Sequence, residues 1–165
     1  IAVAVGPGSY TGLRIGVAAV KAMTFALQLP CFGISTLEAL AYQAATANGL
    51  CSAVMKARQN LVYAGLYQNQ NGTLQNLVPD GLYEQMEWQQ ILEQQQAPVL
   101  VTGDAAASFE TEQVQLAPAS VRLQNATGLC LAACHHAPQT PEQLEANYLQ
   151  LVKAEKDRQM QQKQA

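Results

Sequence analysis

The chain has no surplus of positive charge: 9 lysines and arginines face 12 aspartates and glutamates, a net charge of −3. It lacks the cationic field that would neutralise a run of phosphates, so nucleic-acid binding by the chain alone is not expected. Long apolar runs are missing too. No stretch reaches the ~18–20 residues of a membrane span, and Ile1 to Val5 is too short for a signal-peptide core; a soluble, cytoplasmic protein with no membrane contact is expected. The four cysteines, Cys31, Cys51, Cys130 and Cys134, sit at irregular spacing in apolar stretches and read as reduced, packed thiols, not a disulfide frame. Aspartates are scarce, Asp80, Asp104 and Asp157 being the full set. No carboxylate pair stands at the ends of two strands, as metal-assisted phosphoryl transfer or glycoside hydrolysis would need. The sequence has no Gly-Lys-Ser/Thr of a P-loop, no Gly-x-Ser-x-Gly elbow and no identifiable base for Ser9, and no internal repeat is visible.

What is present is apolar and neutral. Hydrophobic residues make up 49% and charged residues 13% of 165, a composition that folds and suffices for one mid-sized core or two small ones. Glutamine takes the place of charge at exposed positions, clustering from Gln85 to Gln96 and again from Gln159 to Gln164; that is a surface bias.

The opening run Ile1-Ala2-Val3-Ala4-Val5 reads as a strand buried on both faces. A lone buried strand would leave ladder partners unsatisfied, so the sequence is expected to be a piece of a longer chain with earlier strands before it. Gly6-Pro7-Gly8-Ser9-Tyr10-Thr11-Gly12 follows, then a helix from about Leu13 to Leu29, stopped at Pro30. Cys31 to Ile34 reads as a second strand, and Ser35-Thr36-Leu37-Glu38 has capping-box spacing for a helix ending near Asn48-Gly49. Strands at Leu50–Met55 and Leu61–Tyr67 form a hairpin, with a turn signal at Asn69-Gln70-Asn71-Gly72. A helix is expected over Tyr83–Gln95, a strand over Val99–Thr102 and an apolar helix over Thr127–His136. The order βαβα, hairpin, αβα indicates an α/β protein with a mixed sheet. Two lobes are expected, 1–49 and 50–165, with a polar tail from Ala154 that is frayed or helical only on contact with a partner.

The glycine loop is the best candidate for chemistry. Small residues between a strand and a helix N-terminus let backbone N–H groups approach an anion where the helix dipole favours it, so Gly6, Gly8, Ser9, Thr11 and Gly12 are a candidate anion or nucleotide loop, although spacing alone favours a structural role. The spacing is one residue longer than the dinucleotide pattern. The competing reading is structural: Gly8 allows a tight turn and Ser9 or Thr11 caps the helix.

In the helix behind the loop, Leu13, Val17, Val20, Thr24 and Leu27 make one stripe, while Ile15, Ala18, Ala19, Ala22, Met23 and Ala26 cover most of the rest. A helix apolar nearly all round must be buried on two sides, by its own sheet and a neighbour or by its sheet and another subunit. The candidate interface residues are Leu13, Ile15, Gly16, Val17, Ala19, Val20, Met23 and Leu27. Cys130 and Cys134, one turn apart beside His135 and His136, fall short of four convergent ligands, so no metal site is expected; packed thiols with histidines at the solvent edge are. Asp104 reads as part of a strand-exit turn with Gly103.

The run Ala4-Val5-Gly6-Pro7-Gly8-Ser9-Tyr10-Thr11-Gly12-Leu13-Arg14-Ile15-Gly16, followed by Pro30 and by Gly33-Ile34-Ser35-Thr36-Leu37-Glu38-Ala39-Leu40, closely resembles the bacterial TsaB (YeaZ) family. Ala57-Arg58 with Val62-Tyr63, Thr102-Gly103-Asp104 and Tyr148-Leu149 resemble further family segments. Lys56, Ala146 and Gln150 depart from the family's Asp, Pro and Arg. The resemblance implies a two-lobed fold of the actin/Hsp70/sugar-kinase (ribonuclease H-like) type, its N-terminal lobe incomplete and its nucleotide cleft degenerate. It implies no catalytic residue here and no intrinsic cofactor, with ATP at the interface of a complex. The role it implies is a scaffold in forming threonylcarbamoyladenosine at position 37 of tRNA. Such a subunit pairs with the catalytic paralogue TsaD through a helical bundle, TsaE docks at their junction, the chain self-associates when alone, and tRNA is met only through the complex. The alternative of another class is an active nucleotide-dependent transferase or a peptidase-like enzyme.

Overall fold

The computed structural model describes residues 1–45 and 47–149; the expected polar tail lies outside them. Strand β1 (Ala2–Gly6) leads through the glycine loop into helix α1 (Tyr10–Leu27), then β2 (Phe32–Ser35) and α2 (Thr36–Ala44). A second group follows: β3 (Gly49–Lys56), β4 (Leu61–Gln70), β5 (Thr73–Glu84), α3 (Gln85–Glu93), β6 (Val99–Thr102) and, after a 3-10 turn at Ala106–Phe109, β7 (Val114–Leu116). Two helices close the described chain, α4 (Ala119–Arg122) and α5 (Ala126–Ala133).

The strands make two sheets. β1 and β2 pair in parallel, Ala4 opposite Ile34, and a mixed sheet runs in the order β5-β4-β3-β6-β7. Within it β3 pairs antiparallel with β4 and parallel with β6, and β4 pairs antiparallel with β5. Asn71 and Gly72 both have positive φ, the backbone that a two-residue hairpin needs to match strand twist.

Several sequence expectations change. The helix expected to run to Asn48-Gly49 ends at Ala44, and Gly49 opens β3. β1 is half-buried and not sealed on both faces. The segment expected to start a helix at Tyr83 is the end of β5, and the helix starts at Gln85. β5 itself carried no readable signal, because an edge strand tolerates Pro79 and neutral polar residues that a central strand would not.

α2 organises the core because it is buried on nearly every side, from Thr36 and Leu37 through Ala39–Ala44. Leu37, Leu40, Ala41 and Ala44 pack on Cys51, Ala53 and Tyr67 of the mixed sheet, while Ala39 and Tyr42 pack with Ile34 and Ala132 of the other layer. The sheet's opposite face carries the larger cluster of Val54, Leu66, Leu92, Val101, Phe109 and Trp88, and Trp88 donates its Nε1–H to Ser52 Oγ at 3.1 Å. Residues after 125, grouped above with the second lobe, return to the first sheet: α5 contacts β1 and β2, Gln139 bridges Cys31, and the Asn147 N–H reaches the Val5 carbonyl at 2.7 Å.

A polar knot ties the two layers. The Asp80 carboxylate accepts from the Ser35 and Tyr67 hydroxyls and, at 3.3 Å, from Asn76 Nδ2. Ser35 also caps α2, accepting from the Glu38 N–H. Asp80→Ala is expected to cost about 2–3 kcal/mol, because it strands the buried Tyr67 hydroxyl without an acceptor; urea unfolding checks this, and an unchanged midpoint would remove the knot from the account.

Two buried acids give the fold an alkaline limit. Burial pushes the Cys51 thiol up to about 12, and burial with the Asp80 charge beside it holds the Tyr67 phenol far above its ordinary value. The unfolded chain releases these protons from about pH 8.5 for the thiol and about pH 10 for the phenol. In that range the folded state binds more protons, so stability falls as pH rises. The loss is expected to begin near pH 9 and to steepen above pH 10, by at most ~1.4 kcal/mol per pH unit for each group. Melting temperatures from pH 7 to 11 test it, and Cys51→Ala should remove the earlier part of the fall.

Candidate functional site

The glycine loop and α1 form one unit. The Gly6–Pro7 peptide is cis and Gly6 has φ +127°; a Cβ at Gly6 would stand 2.2 Å from the Asn147 carbonyl oxygen. The positive φ therefore sits at Gly6, and the chain bends at Pro7 and Gly8 with Gly8 outside the left-handed region. Ser9 is the helix N-cap, its Oγ accepting from the Gly12 N–H at 3.3 Å; Thr11 lies inside the helix. Capping moves the start of α1 to Tyr10, three residues before the apolar period begins.

α1 divides sharply into two faces. Leu13, Val17, Val20 and Thr24 are its buried residues, with Val17 and Val20 packed among Val3, Val5, Cys31 and Leu144. The inward Thr24 hydroxyl returns its hydrogen bond to the Val20 carbonyl at 2.8 Å. Three candidate interface residues, Leu13, Val17 and Val20, thus serve the chain's own core and are corrected to that role. Gly16 is half-buried and faces Val3, so it too turns inward. Of the remaining candidates, Ile15 is 66% exposed, Leu27 62% and Met23 45%, and Ala19 is exposed. Leu27 shares the inward stripe by spacing, yet it stands open a turn beyond Thr24. Phe25, 66% exposed, was missed; ten residues after Ile15 it lies about 80° around the helix from it, at the flank of the outward side. With exposed Ala18, Ala22 and Ala26, these side chains form an apolar surface facing water.

The loop also walls a cleft of about 310 Å³, lined by Pro7, Gly8, Ser9 and Gly12 from the loop and α1, by Thr36 and Ala39 of α2, and by Gln124, Asn125 and Leu129 around the start of α5. Gly6 and Thr11 do not line it. α2 and α5 approach closely here because position 128 is glycine: a Cβ there would lie 2.2 Å from the Ala39 carbonyl oxygen. Gln43 fixes the same junction, donating to the Val121 and Leu123 carbonyls and accepting from the Asn125 N–H. Thr36, Gln124 and Asn125 were not read as site residues, since only packing of α5 on α2 brings them to the loop.

The remaining candidates resolve into structural roles. Cys130 and Cys134 are exposed, correcting the expectation of packed thiols; α5 turns Gly128 and Ala132 inward instead. His135 stacks on Tyr42 with ring centroids 5.0 Å apart, and His136 Nε2 lies 2.8 Å from Glu38 Oε1. Asp104 accepts from the Lys56 N–H at 2.8 Å, closing the end of β3 next to Gly103, whose φ is +110°. No described helix is long and apolar enough to cross a membrane.

Residues 1–154 match the family described as "TsaD: tRNA N6-adenosine threonylcarbamoyltransferase". The chain is 44% identical over 103 residues to the tRNA threonylcarbamoyladenosine biosynthesis protein TsaB of Bacillus subtilis (strain 168), covering 62% of this chain and 45% of that protein. It is 36% identical over 91 residues to TsaB of Escherichia coli (strain K12), covering 50% and 39%. The matched part is less than half the length of these curated relatives. Among solved structures, YeaZ from Pseudomonas aeruginosa superposes with a TM-score of 0.68 at 26% identity, covering 90% of this chain and 73% of that one. A second Pseudomonas aeruginosa structure, of an uncharacterized protein with similarity to peptidase YEAZ, gives the same score at 25% identity and the same coverage. The fold is α/β of the actin- and sugar-kinase-like type, as expected from the sequence.

Proposed function

The chain belongs to the TsaD family of tRNA N6-adenosine threonylcarbamoyltransferases, in its TsaB (YeaZ) group, and from that membership we propose that it acts in threonylcarbamoyladenosine biosynthesis as a pairing subunit and not as the catalyst. The observation that carries this reading is the outward face of α1. Ile15 and Phe25 leave two-thirds of their surface to water, and full burial of such side chains is worth roughly 1.5–3 kcal/mol each. A contiguous apolar surface of this kind marks a protein contact far more often than a free monomer surface.

The occupant is TsaD, the paralogue that transfers the threonylcarbamoyl group, with helix packing against helix. TsaE docks at the junction, ATP is held there by the complex, and tRNA, which a chain of net charge −3 does not attract, is reached through the partner. When TsaD is absent, two copies cover each other's α1. This chain contributes no residue to the transfer chemistry: Ser9, the hydroxyl in the loop, is engaged as the α1 cap.

Co-purification with TsaD, together with the threonylcarbamoyladenosine content of tRNA from cells lacking this protein, tests the proposal. Normal modification in such cells would defeat it. Turnover of ATP or a peptide by the chain alone would favour the enzyme reading instead.

A further inference from the structure

Two of the four cysteines stand where the fold makes no use of them. Cys31 and Cys51 are buried, the first donating its S–H to the Gln139 carbonyl at 3.2 Å and the second packed with Leu37 and Leu40 of α2. Cys130 and Cys134 are exposed, on α5 and at its C-cap, while the helix packs through Gly128 and Ala132 on its other side. Free cysteine is among the most buried of residue types, and where it is not buried its reactivity accounts for it better than its packing.

The two thiols are one helical turn apart. That turn tightens at its end, where the Cys134 N–H bonds back to the Leu131 carbonyl at 3.2 Å, and Cys134 Sγ lies 3.3 Å from the Cys130 carbonyl oxygen, over the turn that carries its neighbour. Side chains four residues apart on a helix have Cβ atoms about 5–6 Å apart, whereas a disulfide needs about 3.5–4.5 Å. The gap is too long for a direct S–S bond and admits one ion between the sulfurs. No third donor joins them. His135 is stacked on Tyr42, His136 Nε2 is held by both Glu38 oxygens at 2.8 and 3.0 Å, and no three His, Cys, Asp or Glu side chains converge among the described residues.

We propose that Cys130 and Cys134 form a two-coordinate site for Cu(I), the ion held between their sulfurs. Thiolate selects Cu(I), zinc and iron–sulfur clusters; structural zinc and the clusters take four ligands, whereas Cu(I) is satisfied by two. Each thiol gives its proton to solvent as its bond to copper forms, so one ion releases two protons and binding weakens as pH falls. The ion clips the last turn of α5, beside the Tyr42 and Glu38 contacts that tie this end to α2, so loading stabilises the folded chain. The site is built from α5 alone and does not rest on pairing through α1.

The test is anaerobic titration of the full chain with Cu(I), kept reduced by ascorbate, against the coloured Cu(I) chelator bathocuproine disulfonate. The parent is expected to withdraw one ion per chain, more weakly at pH 6 than at pH 7.5, and to melt higher when loaded. Cys130→Ser and Cys134→Ser should each lower the affinity by more than the roughly 10–100-fold that loss of a ligand's hydrogen-bond partner costs, since a ligand itself is removed. Without copper both variants should melt with the parent, because the two side chains are exposed; lost binding is then not lost folding. Parental affinity in either variant would overturn the proposal. So would displacement of Cu(I) by an equal concentration of Zn(II), or a copper-dependent rise in sedimenting mass, which would place the ion between two copies of the chain.

Discussion

Ile15→Glu with Phe25→Glu is expected to abolish pairing while leaving the subunit folded. Both side chains are 66% exposed, so the free chain loses almost no packing and its melting temperature should stay within a few degrees. In the complex each glutamate would be forced into an apolar contact without a counter-charge. Central interface residues cost about 2 kcal/mol or more when truncated. The two positions are about 15 Å apart along the helix, far enough for their effects to add. A loss of some 4 kcal/mol is about a thousandfold in affinity. Val17→Ala is the contrasting variant: it removes methyls from the inward face, 7% exposed, and should lower stability by roughly 1–3 kcal/mol while the folded fraction still pairs. Capture of TsaD by the double variant at parental strength would end the α1 reading. Sedimentation of the chain alone gives a second measurement, since self-association should vanish in the same variant.

Gly128→Ala is expected to destabilise the protein against its own helix propensity. Glycine to alanine inside a helix ordinarily gains about 1 kcal/mol, so propensity alone predicts a more stable protein. Packing opposes it. The new Cβ would sit 2.2 Å from the Ala39 carbonyl oxygen and 2.9 Å from its carbon, and backbone cannot yield as the end of a flexible side chain can. α5 must move off α2, disturbing Ala132 and Leu129 where they pack on Ile34 and Tyr42. Overpacking of this kind costs about 1–3 kcal/mol and occasionally more; since α2 is the buried centre of the molecule, the upper end applies, and a net loss of roughly 2 kcal/mol or more is expected. Gly16→Ala is the internal control, because its Cβ would meet Val3 at an ordinary 3.6 Å. That variant should stabilise by up to about 1 kcal/mol. Equal responses at the two positions in denaturant unfolding would show that helix propensity governs both and that the close approach of α2 and α5 is unimportant.

The amino-acid sequence alone determined the strand–loop–helix opening, the hairpin turn at Asn71-Gly72, the Ser35 cap and the two-sided apolar character of α1. Each is written in the local spacing of a few residues, where 3.6-residue periodicity, capping oxygens and turn glycines act over one or two turns of chain. Tertiary structure decided the rest. It turned Leu13, Val17, Val20 and Gly16 inward and left Ile15, Met23 and Phe25 outside, because periodicity defines opposite faces without saying which one meets the sheet. It left Cys130 and Cys134 exposed, since α5 spends its smallest side, Gly128 and Ala132, on α2. It also brought Thr36 and Asn125 to the glycine loop from distant parts of the chain. No local pattern encodes that meeting, which depends on how closely two helix backbones approach and so on the one position between them that has no side chain.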